Sequence, residues 1–262
     1  MRIALGIEYD GTAFCGWQTQ PNRRAVQDAL EAALAQIAGE HIATMCAGRT
    51  DAGVHACEQV VHFDTHAVRP LTAWVRGVNT LLPDAAAVRW AVEVGEEFHA
   101  RFSAYGRRYR YLLLNRPQRP GLWRGRCGWL HHPLDVESMQ AAAGALLGTH
   151  DFSAFRSAEC QAKSPIKQMR QAEVRRQGSM IIFDFEADAF LQHMVRNLVG
   201  CLIFIGKGTR PVEWMTELLE QKDRKLAGLT FPPDGLYFLG PLYEAHWGLP
   251  QAKDDVLEGL SL

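Results

Sequence analysis

Ile166-Lys-Gln-Met-Arg-Gln-Ala-Glu-Val-Arg-Arg176, then Gln177-Gly178-Ser179, then Met180-Ile-Ile-Phe-Asp-Phe-Glu-Ala-Asp-Ala189 reads as two strands hinged at Gln177-Gly178. A hinge this short joins antiparallel neighbours, because a parallel crossover takes a dozen residues or more. The chain is therefore expected to be α+β although its strands and helices alternate. Downstream, Leu191–Ile205 reads as a long helix, Val212–Gln221 as a surface helix and Tyr237–Ala245 as a last strand. Upstream, Asp135 can cap a helix reaching Leu147, with Gly148 as its stop.

The first part of the chain shows the same mixture. Ile3, Leu5, Ile7 and Tyr9 alternate up to a turn at Asp10-Gly11, and Val26, Leu30, Ala33, Leu34 and Ile37 recur at helical spacing before Gly39. Strands are predicted near Ile42–Ala47, Val54–Thr65, Ala87–Val94 and Tyr105–Asn115, with a helix over Leu71–Leu82 bounded by Pro70 and Pro83. We expect two similar domains, 1–104 and 105–262, each a mixed or antiparallel sheet with helices on one face, joined around a central cleft.

Of 262 residues, 47% are apolar and 22% charged, which excludes a disordered chain. The longest nearly apolar run, Leu198 to Gly206, is far short of the ~20 residues of a membrane span. Glu8 and Asp10 near the start do not fit a secretory signal, so a cytoplasmic protein is expected. The six cysteines lie apart, without a C-x-x-C pair, and read as reduced thiols. The net charge of −1 hides a basic stripe: eight arginines and no acid lie between His99 and Arg126, whereas nine acids face four bases from Glu213 onward.

Five segments could carry chemistry. Gly48-Arg-Thr-Asp-Ala-Gly-Val-His55 places Asp51 on a tight loop beside a cation, Arg49, which would keep a carboxylate ionised and aimed; a plain turn is the competing reading. Phe98–Tyr111 interleaves aromatics with arginines, and strand alternation sets Tyr105, Arg107, Tyr109 and Tyr111 on one face, Arg108 and Arg110 on the other. That suits single-stranded RNA, with rings under bases and guanidinium groups on phosphates, and equally suits a solvated Arg-rich edge. Arg196, at the head of an apolar helix, is expected to be buried and to need a carboxylate, structural or catalytic. His62 and His66 around Asp64 are the best metal candidates, but a strand there would split the two rings, and no metal is expected. Gly206-Lys-Gly-Thr209 reads as a helix end, not a phosphate loop. With no dinucleotide fingerprint and no nucleophile-elbow serine, the residues leave an enzyme without nucleotide cofactor or metal, a non-catalytic RNA-binding protein, or a metal-dependent hydrolase on His62, Asp64 and His66.

Several of these segments, in order and over nearly the whole chain, resemble the tRNA pseudouridine synthase I family, the TruA type. They are Tyr9-Asp-Gly-Thr12 with Gly16-Trp-Gln18, Gly48–His55, Phe98-His-Ala-Arg-Phe-Ser103, Arg108-Tyr-Arg-Tyr111, Asp151–Arg156, His193-Met-Val-Arg-Asn197 and Gly235-Leu-Tyr237. The resemblance implies that Asp51 is the essential aspartate, Tyr109 an active-site tyrosine on the target uridine, and Arg196 the arginine paired with the aspartate. It implies tRNA contacts for Arg49, Arg69 and Arg101, no cofactor, a homodimer, and uridines 38, 39 and 40 of the anticodon stem-loop as targets. At C1′ of the target, Asp51 could attack, add instead to C6 of the base, or take the C2′ proton. Three positions depart from the common pattern: Lys167 for Arg, Asp188 for Asn, and Phe238 for an aliphatic residue. The first two bear on RNA affinity or the sheet edge, and Phe238 on the pocket.

Overall fold

The computed structural model describes residues 1–250. Its α+β chain contains strands β1 (Arg2–Tyr9), β2 (Met45–Cys46), β3 (His55–Asp64), β4 (Ala86–Val94), β5 (Ala104–Asn115), β6 (Gly128–Leu130), β7 (Gly148–Asp151), β8 (Ile166–Gln177), β9 (Met180–Ala187) and β10 (Leu236–Tyr243). The helices are α1 (Val26–Ala38), α2 (Val136–Gly144), α3 (Met194–Gly206) and α4 (Trp214–Gln221). Two compact units divide them: Met1–Tyr105 with the described residues from Tyr237, and Gly106–Leu236.

In the first unit β1 is central, antiparallel to both β3 and β4. Helix α1 starts where the apolar spacing begins; the Asp28 carboxylate accepts the Ala25 N–H at 3.1 Å, and Gly39 ends the helix at φ +75°. Its buried face carries Val26, Leu30, Ala33 and Leu34. A second core layer joins Ala4, Val60, Phe98, Ala100 and Tyr243, with Trp90 and Trp247 packed on it. With both faces covered, β3 buries nine of its ten residues, including His55, Glu58, Gln59 and His62. The residues Leu71–Leu82 do not form one regular helix: a π-turn occupies Ala73–Gly77. Beyond it the Asn79 amide pairs with Val88, accepting its N–H at 2.7 Å and donating to its C=O at 2.9 Å, which spans the bulge where β1 meets β4.

The tail corrects the expected domain layout. β10 lies in the first unit, not with 105–236, and there its backbone pairs parallel to β3 at Tyr237–His55 and Phe238–Ala56.

In the second unit, β5 pairs antiparallel with β9, β9 with β8 and β8 with β7, while β6 lies parallel to β5. The hairpin closes at Gln177–Met180, and Gly178 (φ +57°) is the only one of its two loop residues with positive φ, the pattern of a type II′ turn. Asp135 caps α2, as expected, but the helix ends at Gly144 and Gly148 (φ +100°) opens β7. Helix α3 is buried nearly throughout and terminates in Gly208 (φ +69°), with the Thr209 N–H on the Phe204 carbonyl at 3.1 Å. It begins three residues later than expected because His193 takes a left-handed conformation, φ +63°.

Candidate active site

The Asp51 loop is fixed in the first unit from several sides. Gln59, fully buried on β3, brackets Gly48, its carbonyl accepting the Gly48 N–H at 3.3 Å and its amide donating to the Gly48 carbonyl. The Thr50 hydroxyl and the Tyr9 hydroxyl are 2.7 Å apart, and the Thr50 carbonyl accepts the Trp17 N–H at 2.9 Å. Val54 N–H closes a turn on the Asp51 carbonyl at 3.1 Å, with Gly53 at φ +81°. Gly16 (φ +84°) lets its own backbone approach so closely that a Cβ there would stand 2.9 Å from the Thr50 oxygen. Asp51 emerges half-buried from this frame, and Arg49 is exposed.

Next along the chain, the buried His55 closes the frame. Its Nδ1 accepts the Gly11 N–H at 3.2 Å and lies 3.3 Å from the Asp10 carboxylate, while its ring stacks on Tyr237 at 4.6 Å. Asp10 also accepts the Thr12 N–H (3.0 Å) and hydroxyl (2.6 Å). Sequence reasoning singled out Asp51 but assigned no part to His55, Gln59 or Thr50. Their signal was the unusual polarity of an otherwise buried strand.

The arginines expected to contact tRNA are not all together. Burial pushes the Cys46 thiol up to about 11, and the charges of Arg49 and Arg101 both oppose that rise. Arg69 is placed elsewhere, its guanidinium donating to the Ile37 carbonyl at the end of α1 (3.2 Å) and to the Val68 carbonyl (3.2 Å).

In the second unit, Tyr109 is half-buried on β5, edge-on to Phe190 at 5.0 Å. Arg196 corrects an expectation: it is half-buried rather than enclosed, because it lies in the first turn of α3. Its Nε donates to the Phe231 carbonyl at 2.7 Å, and Phe231 N–H donates back to the Arg196 carbonyl at 3.2 Å. The fully buried polar residue of this helix is Asn197, whose amide donates to the Phe155 carbonyl (2.7 Å) and whose oxygen accepts from Arg224 (3.0 Å) and Thr230 (2.6 Å).

Part of the arginine stripe is structural. Arg110 is buried in a bidentate pair with Asp184, directly opposite on β9, at 2.6 and 3.1 Å, and Arg175 grips the same carboxylate. Arg107 donates to the Asp188 carbonyl at 2.9 Å. The Asp188 carboxylate in turn accepts the Gln168 and Ala189 N–H groups (3.0 and 2.7 Å) at the β8 bulge, Lys167 donates to the Ser164 and Ile166 carbonyls (2.7 and 2.8 Å), and Phe238 is buried in the first unit. The three side chains weighed for a metal are engaged separately. Asp64 is held by Arg2 at 2.8 Å, the His62 Nδ1 accepts the Ala100 N–H at 3.1 Å, and His66 is exposed. Among the described residues no three His, Cys, Asp or Glu side chains gather, and no helix is long and apolar enough to cross a membrane.

A profile of the tRNA pseudouridine synthase family matches residues 6–103 and 142–244. The chain belongs to that family. As a pseudouridine synthase sequence it is 67% identical over 260 residues, covering 99% of both chains, to a tRNA pseudouridine synthase A of Dechloromonas aromatica. It is 59% identical over 261 residues, covering all of both, to a tRNA pseudouridine synthase A of Methylobacillus flagellatus. The pseudouridine synthase match takes in the Asp51 loop and the Arg196 helix, and Tyr109 lies between its two segments.

Proposed function

We propose that this chain isomerises uridine to pseudouridine in the anticodon stem-loop of tRNA, at positions 38, 39 and 40, as a cytoplasmic homodimer. The observation that carries the reading is the immobilised loop that presents the Asp51 carboxylate, in a chain of this family. In the reaction the C1′–N1 bond breaks, the uracil turns, and a C1′–C5 bond forms; N1 gains a proton and the hydrogen of C5 is lost to solvent. Nothing is oxidised or reduced. Positive charge builds at C1′ as the first bond breaks, and a fixed carboxylate lowers that barrier by charge or by covalent attack.

Asp51 takes this part. Tyr109 offers a face to the base once it leaves the stack. Arg196, on the first turn of α3, is the third catalytic side chain, and Arg49, Arg69 and Arg101 bind phosphates. Tritium release from tRNA labelled at uridine C5 tests the chemistry, since only a reaction that substitutes C5 yields it. Transcripts with cytidine at 38, 39 or 40 in turn test the targets. Release that persists unchanged when all three are replaced would move the substrate away from the anticodon arm.

A further inference from the structure

Phe102 is 75% exposed, a large ring turned to solvent on the short loop after β4. It is nevertheless anchored. The ring lies 4.4 Å from that of His99, tilted by 35°, and His99 lies edge-on at 4.7 Å from the buried His62, so three rings touch in series from core to surface. The loop backbone is tied to the same rings. His62 Nδ1 accepts the Ala100 N–H (3.1 Å), and His99 Nδ1 accepts the N–H groups of Arg101 (3.1 Å) and Phe102 (3.4 Å). Ser103 accepts the His99 N–H at 2.9 Å, and the Tyr243 hydroxyl and Arg2 hold the Ala100 and Phe98 carbonyls at 2.5 and 2.9 Å. Burial, with the charge of Arg2 adding to it, lowers both imidazoles, His62 to about 4, so they stay neutral and able to accept. The Arg101 guanidinium lies over the outer ring, 5.6 Å from its centre.

A ring this exposed, with its loop backbone tied down by hydrogen bonds, presents a preformed apolar surface to a partner. The occupant's chemistry is set by the cation alongside, since the Arg101 guanidinium suits a phosphate. We propose that Phe102 is a stacking platform for one unstacked base of the bound tRNA, with Arg101 placed for the adjoining phosphate. The inference rests on tRNA being the substrate. A ring already immobilised stacks without further ordering, and base–aromatic stacking tolerates any base.

Equilibrium binding and steady-state rates on a tRNA transcript should be compared for wild type, Phe102→Ala, Phe102→Leu and Phe102→Trp. Both Ala and Leu should weaken binding and raise KM by roughly tenfold, with kcat little altered and the salt slope unchanged, and Trp should keep wild-type affinity. Leu binding as wild type does would reduce the ring to an apolar contact and overturn the inference. So would an unaltered Ala variant, or a changed molar mass by light scattering, which would seat a second copy of the chain on the ring. A wild type that neither binds tRNA nor releases tritium would sink the functional reading, and this inference with it.

Discussion

Asp51 owes its position to backbone contacts that small residues permit, and its function is tested most directly by removing charge without changing shape. Asp51→Asn should abolish tritium release while leaving tRNA affinity within a few-fold; a variant turning over at more than a tenth of the wild-type rate would displace the aspartate from its role. The loop itself can be moved by one methyl group. At Gly16, left-handed and 2.9 Å short of the Thr50 oxygen, alanine is strained and crowded at once, costing about 1–2 kcal/mol. Because the displaced atoms carry Asp51, kcat should fall under conditions where the urea midpoint shows the variant still folded, and wild-type kcat in Gly16→Ala would show that the loop tolerates shifts. Arg196→Met should remove most activity and Arg196→Lys restore little, since the Nε contact to Phe231 needs the guanidinium geometry. An acid held between glycines was readable from the sequence alone. The environment of Arg196 was not, because counting apolar neighbours along a helix does not say that its first turn reaches the surface.

At the scale of elements, the second unit's sheet is pinned by a charge cluster inside it. Asp184→Asn would leave Arg110 buried opposite a neutral amide, which should cost about 3 kcal/mol and appear as a lower urea midpoint. An unmoved midpoint would mean that water reaches the pair. Strand β3 carries a second electrostatic load. His62 falls from an unfolded value of 6.5 to about 4 in the fold, so the unfolded chain binds the extra proton between those limits. Its contribution to stability is therefore complete above about pH 6.5 and is lost as pH falls toward 4. His62→Asn, which keeps an acceptor near Nδ1, should flatten that loss; equal acid sensitivity in both proteins would refute the assignment. Elements with a strong period (α1, the β8–β9 hairpin, β5) were legible in the sequence. Strands β6 and β7, with three and four residues, show no alternation to read, and the apolar spacing of Leu71–Leu82 does not distinguish a π-turn from an α-turn.

For the molecule as a whole, net charge is a poor guide to its partner. Binding to tRNA should weaken steeply with salt despite the formal −1, each phosphate neutralised in duplex contributing roughly −0.9 to the slope of log K against log salt. Arg101→Glu should flatten the slope and weaken cognate and non-cognate tRNA alike, and an unchanged slope would place the RNA path elsewhere. The division into units was less legible than the strands, because nothing local in Leu236–Tyr243 says that its backbone pairs with β3, nearly two hundred residues earlier. That pairing has a consequence for the nascent chain. The unit formed by Gly106–Leu236 is continuous and all of its chain has left the ribosome once Leu236 has, while the unit begun first still lacks β10. At ~5–20 residues per second, the wait is on the order of ten seconds. During it the His55 end of β3, next to the Asp51 loop, has an open edge that a chaperone or another chain could occupy. The part of the protein translated first is thus finished last.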